Sequence, residues 1–250
     1  MNKYLQNLNR IEVVVTLACS GKCIHCQEGD HDNRSGCIDE TLITKAIKEV
    51  AKVYPIKTLM TFGGEALLYP EITCAIHSVG KSLGIPKRQL ITNGYFTTDQ
   101  VKIKQVVLAL EESGVNDILL SVDAFHQATI PTEPVLYFAK CVKKTNMDIK
   151  LSPAWLVSRE DNNPYNIKTN EIIKPFMDLG ITMGDGNIIF PSGNALKYLR
   201  SYFGDEIIEA NPYDEDPTDI CSLSFSPNGD VLNSNITKKD IIDILEEYLP

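Results

Sequence analysis

The sequence predicts an α/β fold: a partial (β/α)6, TIM-like barrel followed by a small C-terminal hairpin-plus-helix extension. Three observations predict it. Short β-branched or apolar runs alternate with amphipathic stretches about six times, and such alternation builds parallel strands joined by helical crossovers. Gly63, Asn93 and Asp123 end three consecutive runs at intervals of 30 residues, room for one strand and one helix per step. After residue 203 the alternation gives way to an acidic, Pro-containing stretch. The chain therefore divides into a barrel over 1–203 and an extension over 204–250. Periodicity alone leaves an open, doubly wound sheet as the competing arrangement.

The elements follow in order. Residues 11–17 are a β-branched run long enough for a buried strand. The next strands are expected at 57–62, 89–92, 117–122, 149–157 and 187–190, the fifth interrupted by Pro153, which cannot donate to a ladder. Between them, Leu42, Ile43, Ala46, Ile47 and Val50 fall on one helical face. Further helical faces are Val101 to Leu110, Val135 to Val142, and Ile172, Ile173, Phe176 and Leu179, with Gly180 as the stop. In the extension, 222–226 and Val231-Leu232 flank Pro227-Asn228-Gly229-Asp230 and read as a hairpin, with a helix over 240–249.

Composition bounds the function. The chain has 250 residues, 43% of them hydrophobic, enough for one sizeable core. A net charge of -9 gives no electrostatic footprint for nucleic acid. No apolar run reaches membrane-span length, and residues 1–10 hold no signal-peptide core. No membrane partner is expected, and a cytoplasmic location is. There thiols stay free or bind metal. From 201 to 237 there is no Lys or Arg, while Asp205, Glu206, Glu209, Asp214, Glu215, Asp216, Asp219 and Asp230 lie there. That stretch reads as a solvated loop or as a docking strip for a basic partner.

Of the seven cysteines, Cys19, Cys23 and Cys26 sit together directly after the first strand. Three thiolates on one short loop can hold three corners of an iron–sulfur cube and leave the fourth iron open to another donor. Zinc, with His25 or His31 as fourth ligand, is the competing reading. The position is informative, because βα barrels carry their active sites where strands end. Gly63-Gly64-Glu65, Thr92-Asn93-Gly94, Ser121-Val122-Asp123 and Ser192-Gly193-Asn194 end strands at that same rim. Each alone is ordinary turn or cap chemistry. Their joint placement is not.

These motifs resemble the radical S-adenosylmethionine (radical SAM) superfamily. The Cys-x3-Cys-x2-Cys spacing is that family's signature, and Thr61-Phe62-Gly63-Gly64-Glu65 is similar to its glycine-rich motif. Ile91-Thr92-Asn93-Gly94 and Ser121-Val122-Asp123 resemble its third- and fourth-strand motifs. Pro191-Ser192-Gly193-Asn194-Ala195 looks like the late motif of the peptide-modifying branch. Two positions depart from the pattern: Ala66 stands where Pro is usual, and Asn194 where Arg is common.

The resemblance implies one [4Fe-4S] cluster on Cys19, Cys23 and Cys26, with S-adenosylmethionine on the open iron. It implies Gly63, Gly64 and Glu65 at the methionyl ammonium, and Ser121 and Asp123 at the ribose. Ser192 and Asn194 would meet the carboxylate, the backbone at His25 the adenine, and Asn93 the rim of the cofactor. His126, just after Asp123, is the candidate for binding substrate or moving a proton; a hydrogen-bonded loop histidine is the alternative. Tyr95 and Trp155 line the cavity or belong to the core. The implied reaction is reductive opening of S-adenosylmethionine to a 5'-deoxyadenosyl radical that abstracts a substrate hydrogen. Its electron would come from a reduced carrier, flavodoxin or ferredoxin. The region from Cys221 to Val231 is similar to the start of an auxiliary-cluster extension, here vestigial: no later Cys follows, so no second cluster is expected and Cys221 is a plain buried thiol. Three functions stay open: modification of a ribosomally made peptide, activation of a partner enzyme by installing a glycyl radical, and a non-enzymatic zinc or iron–sulfur module.

Overall fold

The computed structural model describes residues 2–31, 36–204, 211 and 214–250; Asp205, Glu206 and Glu209 of the acidic stretch lie outside them. Arg10–Thr16 forms strand β1. Its Ile11, Val13 and Val15 are fully buried, whereas Arg10, Glu12 and Val14 are half-buried, the alternation of a strand with one covered face. Helix α1 (Glu40–Val53) presents Ile43, Ala46, Ile47 and Val50 to the core, and Asp39 caps its first turn by accepting from the Leu42 N–H. β2 (Thr58–Gly63), α2 (Pro70–Ser82), β3 (Lys87–Thr92), α3 (Gln100–Ser113), β4 (Asp117–Leu120), α4 (Thr132–Val142) and β5 (Asp148–Leu151) continue the alternation. Sequence periodicity does not reveal α2. Its buried face holds Thr73, His77 and Gly80 beside Ile76, which blurs the apolar stripe, although Pro70 opens it as first-turn prolines do.

The expected fifth strand breaks at Ser152 and Pro153. Beyond them a two-residue strand β6 (Ala154–Trp155) leaves the main sheet. The helix expected around Ile172 is two pieces, α5 (Pro164–Ile172) and α6 (Lys174–Met177), because Pro175 can neither donate its N–H nor clear the preceding turn. β7 (Thr182–Met183) was not expected and pairs with β5; β8 (Asn187–Ile188) pairs with β6, so the predicted sixth strand belongs to a separate two-stranded ribbon. α7 (Gly193–Tyr198) follows.

The predicted hairpin is corrected. β9 (Ser222–Phe225) lies parallel to β1, with Arg10 opposite Ser222 and Val13 opposite Phe225. The hairpin is instead β10 (Asp230–Val231) with β11 (Ser234–Asn235), followed by helix α8 (Ile241–Glu247), which packs on α1. The backbone N–H groups of Asn9 and Arg10 both donate to the Cys221 carbonyl, which fixes that register. Cys221 itself is half-buried rather than buried, its thiol on the Asp219 carbonyl.

The main sheet runs β7-β5-β4-β3-β2-β1-β9, every recorded pairing within it parallel. Strands 1 to 5 are spatial neighbours in chain order, so the crossovers all step one way; a doubly wound sheet would reverse. Among the described residues β7 and β9 do not pair, so the barrel is partial and open. A second, smaller apolar cluster of Phe125, Ala154, Leu156, Ile189, Ala195 and Leu199 sits at the strand ends, and Ile24 of the cysteine loop packs on it.

Candidate cluster and cofactor site

The loop carrying the three cysteines leaves β1 and is gripped from two sides. On one side the backbone N–H groups of Gly64 and Glu65 donate to the carbonyls of Thr16 and Ala18 (2.8 Å each). A Cβ at Gly63 would lie 2.3 Å from the Thr16 oxygen, and one at Gly64 2.2 Å from the Ala18 oxygen. The two glycines are required there by the cysteine loop's own backbone, irrespective of any ligand. On the other side the Asn194 N–H donates to the Cys26 carbonyl (2.9 Å) and the Asn194 side chain to the Cys23 carbonyl (3.3 Å). Asn194 is buried and braces the loop from beneath. Ser192, half-buried, precedes α7 without capping it through its side chain.

Cys23 is buried and Cys19 and Cys26 are half-buried. Burial pushes the Cys19 thiol up to about 12, with the charges of Glu65 and Cys26 adding to it and the Gly21 N–H opposing. Cys23 is raised for the same first reason, and by Asp123, Cys19 and Cys26. Cys19 and Cys23, which burial keeps from ionising, would be relieved by a bound cation. Among the described residues no group of His, Cys, Asp or Glu is gathered tightly enough to hold a single metal ion. The donor set itself, three free thiols on one loop, fits a cluster with one iron left open to a further donor. His31 Nε2 lies 3.1 Å from the Cys26 Sγ and its Nδ1 2.7 Å from the Leu17 carbonyl, tying the loop's last cysteine to its start.

Glu65 is fully buried and joins β2 to β3. Its Oε1 accepts from the Leu67 N–H (2.8 Å) and the Thr92 hydroxyl (2.7 Å), and its Oε2 from the Asn93 N–H (2.8 Å). Burial pushes its carboxyl up to about 7, although these bonds pull the other way. One acceptor position on Oε2 is left for the expected ammonium. Thr92 carries no signal of its own in the sequence beyond its place beside Asn93.

Asp123 is fully buried, and its acceptor positions are taken within the chain. Oδ1 accepts from the N–H groups of Phe125 and His126, and Oδ2 from His126 Nδ1 (2.8 Å) and the Ala154 N–H (2.9 Å). The geometry thus gives Asp123 the task of fixing the turn and His126. Burial disfavours its charge, but His126 outweighs this and holds the carboxyl well below the usual range. Burial likewise opposes charge on His126, and Asp123 reverses the balance, raising its pKa. Ser121, half-buried, stands beside Asn93, its N–H on the Thr92 carbonyl.

The His25 ring lies 4.9 Å from those of Phe125 and His126, and its buried Nδ1 has no hydrogen-bond partner among the described residues. Burial and His126 push its pKa down to about 4. Tyr165 stacks on Phe125 at 4.7 Å, a contact no local pattern announces. Tyr95 packs on the main core, and Trp155 is fully buried with the Arg159 guanidinium 5.9 Å from its ring.

The Gly-Gly-Glu and Ser-Gly-Asn motifs thus meet at the cysteine loop, and residues 13–148 match the sequence profile of the Radical SAM superfamily. The chain belongs to the radical SAM superfamily. Members use a [4Fe-4S] cluster and S-adenosylmethionine. Over 178 residues the chain is 29% identical to the GTP 3',8-cyclase of Clostridium perfringens, covering 66% of this chain and 51% of that one. It thus spans about half the length of the curated relatives it matches. Its fold resembles SuiB of Streptococcus suis bound to the precursor peptide SuiA (TM-score 0.64, 13% identity, 98% of this chain and 65% of that one). It also resembles anSMEcpe with bound AdoMet and a Cp18Cys peptide (TM-score 0.58, 14% identity, 96% and 80%). No described helix of this radical SAM protein is long and apolar enough to cross a membrane.

Proposed function

We propose that Cys19, Cys23 and Cys26 hold the [4Fe-4S] cluster, that S-adenosylmethionine sits beside it, and that the chain abstracts a hydrogen atom from a peptide. The observation that carries this reading is the two-sided grip on the cysteine loop by Gly63 to Glu65 and by Gly193 and Asn194. When bound and reduced by a flavodoxin or ferredoxin, the pair supplies reductive cleavage of the sulfonium and a carbon radical that takes hydrogen. The chain's own residues do the rest. Glu65 offers its remaining lone pair to the ammonium. Ser121 and Ser192 line the ribose and carboxylate ends, and the backbone at His25 faces the adenine. His126, with Nδ1 held by Asp123, keeps Nε2 for a substrate proton.

A peptide substrate is supported by the likeness to SuiB, which extends over 98% of this chain. A nucleotide is the second reading, favoured by the 29% identity to GTP 3',8-cyclase. Anaerobic reconstitution with dithionite and S-adenosylmethionine, scoring 5'-deoxyadenosine, tests the chemistry. Release is expected from the intact chain and almost none from Cys23→Ala; undiminished release from that variant removes the proposal. Adding GTP, or a short peptide encoded beside this gene, then separates the substrates by which one accelerates release.

A further inference from the structure

Asn93 is buried, and its amide is oriented without ambiguity. Oδ1 accepts from the Tyr95 N–H at 2.8 Å, which fixes which end of the amide is nitrogen. Nδ2 then points into the cysteine loop, 3.2 Å from the Ser20 Oγ and 3.7 Å from the Cys19 Sγ. An amide nitrogen carries two hydrogens, so it can serve both. The Gly21 N–H reaches the same sulfur at 3.3 Å. The backbone of Asn93 is held in turn by the buried Glu65 carboxylate, which also accepts from the neighbouring Thr92 hydroxyl.

We infer that Asn93 is a positioning residue for the cluster: through an N–H···S bond to Cys19 it favours the reduced state. The inference rests on the reading that Cys19 is a cluster ligand, and goes beyond it by assigning Asn93 to the sulfur rather than to the cofactor. A one-electron reduction adds negative charge that spreads onto the thiolates. A donor aimed at one of them stabilises the reduced form more than the oxidised form, so the potential rises. By holding the Asn93 backbone, Glu65 thereby also acts on the cluster. This links the Gly-Gly-Glu, Thr-Asn-Gly and cysteine motifs into one structural unit.

The test is an EPR-monitored redox titration of reconstituted protein without S-adenosylmethionine. Asn93→Leu removes both donors at similar size. Asn93→Asp also removes them, yet keeps an acceptor for the Tyr95 N–H and so preserves the turn if the leucine variant does not fold. Each variant that carries a cluster is expected to show about a tenfold lower ratio of reduced to oxidised cluster at a fixed potential, ~59 mV for a one-electron couple. A midpoint equal to wild type in Asn93→Asp overturns the inference. So does a shift that appears only once S-adenosylmethionine is added, because Asn93 would then act through the cofactor. Wild-type protein that takes up no cluster sinks the inference together with the proposed function, whereas an unshifted midpoint sinks the inference alone.

Discussion

Gly193 rests against the carbonyl of Gln27 so closely that a Cβ there would stand 2.2 Å from that oxygen and 2.7 Å from the Cys26 oxygen. Its φ of 49° adds a second reason for glycine, since other residues avoid the left-handed region. Gly193→Ala must therefore push α7 off the cysteine loop or deform the loop, and overpacking of this kind costs about 1–3 kcal/mol. The expected outcome is a lower melting temperature for the metal-free chain and markedly less iron retained after anaerobic reconstitution. Wild-type values for both would show that the two segments part without consequence.

The contrast between these braces and the motifs explains what the sequence reveals. β1 to β4 are legible because each is an apolar run closed by turn residues, and the cysteine spacing is legible because it is local. β7 is only two residues long and carries no period. Ser222 to Phe225 looks like half a hairpin because Pro227-Asn228-Gly229 is a strong local turn, yet its pairing with β1 is set by Asn9 and Arg10, more than 200 residues away. The site divides in the same way. Which residues gather at the rim could be read; what Asp123 and Asn194 do there could not, because that depends on which donors the fold turns toward them. Asp123 receives the Ala154 N–H where the chain leaves the main sheet after Pro153.

Glu65 gives the metal-free chain a pH dependence. Its folded pKa of about 7 lies above the ordinary 4.5, so the native state favours the protonated carboxyl. Stability should fall as pH rises from about 4.5 to 7 and level off above, by up to ~3 kcal/mol for this group alone. Glu65→Gln is expected to abolish that slope. It should also lose stability at low pH, because a carboxamide cannot accept from the Leu67, Thr92 and Asn93 donors together. Urea unfolding at a series of pH values measures both. A slope that survives in Glu65→Gln belongs to another group.

Asp123 and His126 give the opposite signature. The Asp123 pKa is depressed, so its contribution is present above the ordinary 3.8 and is lost as pH falls toward the folded value. The His126 pKa is raised, so its contribution is complete below 6.5 and is lost as pH rises through the folded value. The pair is therefore at full strength between about pH 4 and 6.5. Asp123→Asn removes the charge that sustains His126 and leaves two of the four N–H donors facing an amide nitrogen, a loss of about 1–3 kcal/mol for each left unpaired. With the carboxylate gone, burial decides, and His126 should titrate below 6.5 instead of above it. NMR titration of the four histidine rings in the diamagnetic, metal-free chain reads this directly. A His126 pKa that stays raised in Asp123→Asn would mean that some other anion holds the ring.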